Sequence, residues 1–591
     1  MNQNNFEFNL DDILKKAFGG NKNWNNGGDN GGNNVFRTPR GSFGKYIKTL
    51  ITVYVVLAIF LFLQSSLILD LSLSILILIA PFVVVSVGYS IYSFKKTYAI
   101  AGGIVALAYI GISIFYSPLV NYDIHRELIG PVDEVEFSSQ VKHIDLNQLP
   151  IIDEALAYKL ADKKLGEIPS LGSQVTVGKL DLQSVNGQLY YVGPLEHTSF
   201  FKWLSNKDGS KGYIKVSATN QSDVQLITEL NGKEVRLKYL ESAYLFDDLD
   251  RHAFLNDMKA GHTDYTFELD DEGNPYYVIT RYDNAFGFTE AKATGALIID
   301  VQTGESTVYD IENLPKWVDR IQPQSYIKNY VDKWGVLVHG VFNFSDKDKL
   351  VSTSDMNMIY NEDVCYYYTG ITSVGNDESL VGFTLTDTRT GKTTMYKTAG
   401  ATEEAAMKSA EGKVQQFGYS ATLPYLINIQ NEPTYFMTLK DSNGLVKQYA
   451  MVNVKDFNII GVGDNLTTTL NKYVDGLANT NISLEGSNNE EIAEGEIERI
   501  GLVVKEGVSI YDVKIAGHDG IFSVSTETSR EVALSKVGDV VKIKYIPLGD
   551  STYIITNSYE NVSYEPLKGH QTSSDSTNNE AEENKAVENK Q

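Results

Sequence analysis

TLITVYVVLAIFLFLQSSLIL (49–69), LSLSILILIAPFVVVSVGYSIYSF (71–94) and YAIAGGIVALAYIGISIFYSPLV (98–120) are three apolar runs set almost end to end. Each is near the ~20 residues that cross a ~30 Å hydrocarbon layer as a helix. No Asp, Glu, Lys, Arg or His interrupts any of them. A buried core helix is the bland alternative, and three adjacent uncharged runs argue against it. A cleaved signal peptide does not fit, because the runs begin well into the chain and come in triplicate. The sequence therefore predicts three transmembrane helices over 48–120 and integral contact with a lipid bilayer.

Basic residues give the expected orientation. Arg37, Arg40, Lys45 and Lys48 precede the first run, Lys95 and Lys96 separate the second from the third, and only Asp70 marks the first hairpin. The positive-inside rule puts the N-terminus and the second loop in the cytoplasm, and everything after about residue 120 outside. Ionisable residues within spans mark ion or proton routes. Their absence here favours an anchor over a transporter component.

Of 591 residues, most lie beyond the spans, too many for one core, so several domains are expected. The net charge of −24 disfavours a nucleic-acid partner. The single cysteine, Cys365, excludes an intramolecular disulfide and a cysteine-rich metal site. It suits a bacterial cell envelope that avoids secreted disulfides.

Ahead of the spans, residues 1–18 are expected to form an amphipathic helix. Leu10, Ile13, Leu14, Ala17 and Phe18 form one apolar stripe, Asn9 can cap it, and Gly19 follows. The 19–47 segment is a Gly/Asn-rich linker. The helix either rests on the inner leaflet or docks a cytoplasmic partner through Leu10, Ile13, Leu14 and Phe18. Its balanced polar face, with two acids and two bases, favours the partner.

After the spans the sequence predicts a stalk (121–139), an α+β domain (140–246), two helix-plus-sheet units (247–345 and 346–480), a small β domain (490–563) and a tail (564–591) expected to be disordered from its polar, charged composition. Helices are expected near 151–167, 251–261, 324–334 and 401–418, and hairpins at Asn186-Gly187 and Asn231-Gly232. Trp317 and Trp334 read as core aromatics. About five strands with Gly turns in 494–560 predict a small closed barrel of the OB type.

A repeat runs through the middle. GALIIDVQTGESTVY (295–309) matches VGFTLTDTRTGKTTMY (381–396) at Asp300, Thr303, Gly304 and Tyr309 against Asp387, Thr390, Gly391 and Tyr396. GNPYYVITRYDN (273–284) echoes NEPTYFMTLKDSNG (431–444). Thr390-Gly391-Lys392-Thr393 invites an ATP-loop reading. The Gly that such a loop needs five residues before Gly-Lys is Thr386, and the chain continues as strand. Asp-x-x-Thr-Gly is instead expected to be hairpin punctuation, with Gly at positive φ.

These helix-then-hairpin units resemble PepSY domains over about 251–310 and 401–462. PLEHTSFFKWLS, PYYVITRYD, LPKWVDRI, YYYTGITSVG and GATEEAAMKSAEGKVQQFGY together resemble an uncharacterised family of large membrane-anchored envelope proteins of Gram-positive bacteria and their mobile elements. The PepSY resemblance implies binding, sometimes peptidase inhibition. The family resemblance implies localisation and fold, and no catalytic residue.

No catalytic motif emerges. None of the eight histidines forms His-Glu-x-x-His. His252 and His262 flank the acidic 247–250 run without ligand spacing. GVGDNL (461–466) lacks the last Gly of a dinucleotide fingerprint, and the acidic turns lack calcium-loop spacing. YYYTG (366–370) reads as strand packing before a carbohydrate platform. The expectation is a non-enzymatic scaffold or binding protein without cofactor or metal. Its partners are proteins in the envelope and one in the cytoplasm. The competing class is a wall-directed hydrolase whose carboxylates gather in a cleft from distant segments, betrayed by close acids of raised pKa.

Overall fold

The computed structural model describes residues 42–563 except 64–70, 137–148, 288–289, 354–355, 362–363, 376–378, 430–431, 479–490, 506–507, 527 and 546–552. Leu10, Ile13, Leu14 and Phe18 lie outside the described residues.

The apolar runs form α1 (Phe43–Leu63), α2 (Leu71–Ser93) and α3 (Lys96–Phe115), each long and apolar enough to cross a membrane. Helix α1 starts ahead of its apolar run and takes in Lys45 and Lys48, both exposed. Helix α3 stops at Phe115, short of Val120, because Pro118 starts a new helix, α4 (Pro118–Arg126). A proline has no N–H to continue the ladder but suits a first helical turn. Helices α2 and α3 meet where Gly102 faces Ser86. A Cβ on Gly102 would stand 3.0 Å from that of Ser86, so the missing side chain sets the close approach. Tyr46, Tyr89 and Tyr98 cluster at the opposite end of the helices from Phe62 and Phe115, and Tyr46 bonds Ser86 at 2.8 Å.

Residues 118–136 are packed against the folded part, whereas a stalk was expected. Arg126 Nε donates to the Trp334 carbonyl at 3.1 Å, and Ile129 is buried. Strand β1 (Asp133–Glu136) adds in parallel to a strand more than 250 residues later in the chain, pairing Val135 with Tyr396.

The first module lays α5 (Glu154–Gly166) on a sheet of β2 (Val175–Val177), β3 (Asp181–Val185), β4 (Gln188–His197), β5 (Tyr213–Ser217) and β6 (Val224–Ile227). Asp153 caps the helix, its Oδ1 accepting from Leu156 N at 3.0 Å. Ile152, Leu156 and Leu165 are buried as their spacing predicts, and Leu160 is half-buried. Asn186-Gly187 turns β3 into β4 with both residues at positive φ, and Asn231-Gly232 does the same for two short strands further on. A short helix, α6 (Phe200–Ser205), follows β4.

Three more modules repeat one plan, a helix followed by an antiparallel meander. The second has α7 (Leu249–Asn256), then β7 (Gly261–Leu269), β8 (Pro275–Phe286), β9 (Glu290–Asp300) and β10 (Ser306–Asp310) in spatial sequence. The third has α8 (Gln324–Val336), β11 (Leu350–Ser352), β12 (Asn357–Asn361), β13 (Val364–Ser373), β14 (Ser379–Asp387) and β15 (Thr393–Ala401). The fourth has α9 (Glu403–Lys413), β16 (Ser420–Ala421), β17 (Tyr425–Ile429), β18 (Glu432–Lys440), β19 (Val446–Asn453), β20 (Ile460–Gly463) and a closing helix, α10 (Leu466–Ala478). Residues 346–480 thus hold two sheets, because α9 opens a fresh cycle directly after β15.

The sheets stack. Val192 and Tyr213 of the first sheet pack on Phe267 and Leu297 of the second. Tyr368 and Phe383 of the third pack with Ala406 of α9 and with Tyr435 and Val452 of the fourth. Period-two alternation supplies both faces of each sheet, so each has a core on either side. Trp317 and Trp334 are half-buried, Trp317 stacking on Tyr276 at 5.1 Å.

Residues 491–561 close into a five-stranded barrel: β21 (Glu491–Lys505), β22 (Val508–Ile515), β23 (Ile521–Ser525), β24 (Val540–Tyr545) and β25 (Tyr553–Asn561). The order is β21-β22-β23-β25-β24, with β23 and β25 parallel and the other pairs antiparallel. Val513, Phe522, Val524 and Ile543 fill the interior.

Candidate functional site

The six repeat residues are turn residues and line neither cavity described below. Asp300 Oδ1 accepts from Gln302 N and Thr303 N at 2.8 and 2.9 Å, and Gly304 N donates to the Asp300 carbonyl at 2.8 Å. Asp387 Oδ1 accepts from Arg389 N and Thr390 N, both at 2.8 Å, and Gly391 N donates to the Asp387 carbonyl at 2.9 Å. Gly304 and Gly391 have φ of 78° and 75°. The first turn joins β9 to β10 and the second joins β14 to β15, in separate sheets. Lys392 points away to Asp133 at 2.9 Å. A third copy exists that sequence comparison missed. Asn453 Oδ1 accepts from Lys455 N and Asp456 N at 2.9 and 2.8 Å between β19 and β20.

The other sequence candidates are also structural. Tyr367 and Tyr368 are buried, their hydroxyls donating to the Gln322 carbonyl at 3.0 Å and to Glu403 at 2.8 Å. His252 bonds the Gly304 carbonyl at 2.8 Å, and His262 faces Asp257 at 3.3 Å. No cluster of His, Cys, Asp and Glu among the described residues could hold a metal ion.

A cleft opens where all four modules meet. Its larger cavity, about 430 Å³, is lined by Asp153, Lys179, Asp181, Asp264, Arg320 and Tyr425 among others. A smaller one of about 210 Å³ shares Lys179 and Asp181 and adds Glu196, Glu241, Ser242 and Tyr265. Junctions between packed units are a usual place for binding cavities.

Asp181 sits at the join. Its Oδ1 takes Arg320 Nη2 at 2.7 Å and Lys179 Nζ at 3.0 Å, and its Oδ2 takes Phe267 N at 3.0 Å. Glu196 accepts from Ser242 N at 3.1 Å, from the Ser242 hydroxyl and, at 3.3 Å, from Tyr277 OH. Burial raises the Glu196 pKa, and those donors oppose the rise. Burial of its carboxyl, then the charges of Glu196 and Asp250, push Glu241 up to about 7. Much of Glu241 is nonetheless exposed, so solvent screens these charges in part. Burial and the charge of Asp248 raise Asp250, which accepts a hydrogen bond from Tyr265.

Behind the cleft lies a second acidic pair, Glu268 and Asp319. Burial raises both, and for Glu268 the nearby charge of Asp319 adds to the rise. Glu268 accepts from the Thr266 hydroxyl at 2.8 Å and from Asp319 N at 3.2 Å. Asp319 accepts from Ser184 N at 2.6 Å and from Tyr360 OH at 3.1 Å. The cleft therefore offers fixed cations, fixed anions, tyrosine faces and, in Glu241, a carboxyl raised above its ordinary range. Its residues come from positions 150 to 438 without a shared local motif, so sequence pattern alone could not name them.

No protein-family model matches the chain, and no curated protein matches it. Among solved structures, a GH43 endo-arabinanase from Bacillus licheniformis is similar at 12% identity over 47% of this chain and 73% of that one, with a TM-score of 0.15. A levansucrase variant from B. megaterium is similar at 10% identity over 73% of this chain and 97% of that one, with a TM-score of 0.17. Scores this low bear on neither fold nor function.

Proposed function

We propose that this is a membrane-anchored extracytoplasmic scaffold or binding protein of a bacterial cell envelope. One observation carries the reading. The ends of α1 and α3 at Phe62 and Phe115 both meet the folded modules, through Arg251 and through α4, while the α2–α3 turn lies at the other end of the helices. The basic residues Lys45, Lys48, Lys95 and Lys96 sit at that other end, which supports a cytoplasmic N-terminus with the modules outside. The repeated helix-and-meander plan supports PepSY-like units. The barrel order with one parallel pair supports an OB-type domain, here a spacer or protein contact. The N-terminal helix recruits a cytoplasmic partner through Leu10, Ile13, Leu14 and Phe18.

Protease added to wall-stripped cells tests the orientation. Residues 149–560 should be cut in whole cells and protected in inverted vesicles; the reverse pattern overturns the reading. Cross-linking from Leu14 tests the docking helix, and Leu10→Asp should abolish the capture.

A second reading rests on Glu241 and Glu196 in the smaller cavity. A raised carboxyl beside another carboxylate supports acid catalysis on a wall glycan or peptide. Glu241→Gln would then abolish release of soluble fragments from purified wall. Absence of any release by the unaltered protein removes this reading.

A further inference from the structure

We infer that the membrane-proximal edge of the folded modules is a lipid-docking surface, in which Phe246 and Phe344 enter the interfacial layer of the bilayer that the three helices cross. It goes beyond the anchor role, since it assigns lipid contact to residues far from the spans in sequence.

Two exposed aromatic patches carry it, each tied to the end of a span. Arg251, at the start of α7, donates Nη2 to the Phe62 carbonyl at 2.5 Å, and its guanidinium lies 4.5 Å from the Phe62 ring. The same guanidinium bonds the Leu245 carbonyl through Nη1. One side chain therefore fixes the 244–247 turn to the last turn of α1. That turn presents Leu245, held at a positive φ of 60°, and Phe246, 67% exposed. A bulky residue rarely adopts that backbone conformation, so the surrounding structure imposes it. Next to the turn, Phe200 meets Tyr244 edge-on at 5.1 Å, and α6 adds the exposed Phe201.

The second patch hangs on α4, which follows α3 across a two-residue break. Gly340 lies against Tyr122 of α4, where a Cβ would stand 3.5 Å from the ring. The loop past Gly340 carries Phe342 and Phe344, 69% and 85% exposed, with ring centroids 6.0 Å apart. Leu119 and Val120 of α4 are exposed as well.

Single exposed apolar residues are ordinary on a protein surface. These differ in sharing a location: both patches lie beside the point where a helix leaves the apolar layer. Aromatic side chains favour that interface, and burial there removes apolar area from water. Lys202 and Lys207 flank the first patch, Lys207 lying 3.0 Å above the Trp203 ring. Amphipathic cations of this kind suit the headgroup layer. The occupant is thus the surface of the same bilayer, and the inference rests on the helices crossing it, whichever side the modules face.

The test uses the full chain in lipid nanodiscs, carrying one nitroxide at a time. Cys365 is buried and leaves the background clear. Labels go on Phe246→Cys, Phe344→Cys, Leu78→Cys within α2, and Phe417→Cys on the fourth module. Power saturation with dissolved oxygen and a water-soluble nickel chelate reports depth. At Phe246 and Phe344 nickel access should fall well below that at Phe417 and oxygen access should rise, to values between those of Phe417 and Leu78, while Phe417 stays open to nickel. If Leu78 is lipid-exposed but Phe246 and Phe344 relax with nickel as Phe417 does, the docking surface is refuted and the anchor stands. If Leu78 also relaxes with nickel, the anchor itself fails and the surface falls with it.

Discussion

Gln183 and Leu269 exchange two hydrogen bonds between different sheets. Leu269 N donates to Gln183 Oε1 at 2.9 Å, and Gln183 Nε2 donates to the Leu269 carbonyl at 2.7 Å. Two residues earlier on each strand, Phe267 N donates to Asp181. Strand β7 is the edge of its sheet, and an open edge leaves backbone donors and acceptors unpaired. Side chains of β3 here do the work of a further strand. Gln183→Leu would strand a buried N–H and carbonyl at a cost of about 1–3 kcal/mol. Thermal unfolding of the protein in detergent should show an earlier first transition, and an unchanged midpoint would mean that water replaces the amide.

The three aspartyl and asparaginyl turns permit a sharper comparison. Asn453 holds its turn with an amide oxygen where Asp300 and Asp387 use a carboxylate. The carbonyl-type oxygen is then the requirement, and the charge is incidental. Asp387→Asn should leave the melting temperature nearly unchanged. Asp387→Ala removes the acceptor for two N–H groups and, by analogy with helix caps, should cost about 0.5–2 kcal/mol. Equal losses in the two variants would show that charge matters after all.

What the sequence disclosed follows from how local each cause is. Apolar runs, Asn-Gly hairpins and the Asp-x-x-Thr-Gly turn are written within a few residues, and each was legible. The third turn was not, because Asn453 lacks the Thr-Gly that follows the other two. Nor could the packing of residues 118–136 be anticipated, since β1 finds its partner strand in β15, far along the chain. The cleft is the extreme case. Asp181, Glu241 and Arg320 owe their roles to sheet stacking, and no spacing rule links them.

Glu241 should make the protein respond to pH in one direction. Its folded value is raised from 4.5 to about 7, so the folded state holds the proton more tightly than the unfolded chain. The stabilisation is complete below pH 4.5 and fades as pH rises through about 7. Glu241→Gln cannot lose a proton. The melting temperature of the variant should therefore gain on the parent as pH goes from 4.5 to 7, by a small amount given the exposure of the residue. A constant difference across that window would dismiss the raised value.

His197 works the opposite way. Both ring nitrogens are buried without a hydrogen-bond partner, and burial lowers the pKa from 6.5. The unfolded chain takes up the proton first, so stability falls as pH drops through 6.5 towards the folded value. His197→Leu removes both the orphaned nitrogens and the titration. Its melting temperature should exceed that of the parent increasingly below pH 6.5, and parallel curves would contradict this.

Glu290 governs how firmly the anchor meets the modules. Its carboxylate faces His125 Nδ1 at 2.9 Å and accepts from Asn329 at 3.2 Å and from Lys333. His125 is fully buried on α4, and its other ring nitrogen lies 2.8 Å from the Tyr116 carbonyl, at the end of the third span. One acidic side chain thus joins the span end, the start of β9 and helix α8. Removing one partner of a buried charged set typically costs about 3–5 kcal/mol, because the remaining charges stay buried without compensation. In Glu290→Ala, α4 should loosen from α8 and expose Arg126, which is held by the Trp334 carbonyl. Trypsin should then cut after Arg126 much faster than in the parent, releasing the modules from the membrane fraction. Glu290→Gln, which keeps an acceptor oxygen, should fall between the two. Equal cleavage rates in all three proteins would mean that the apolar contacts of Ile129 with Ile327 and Tyr330 hold the joint alone.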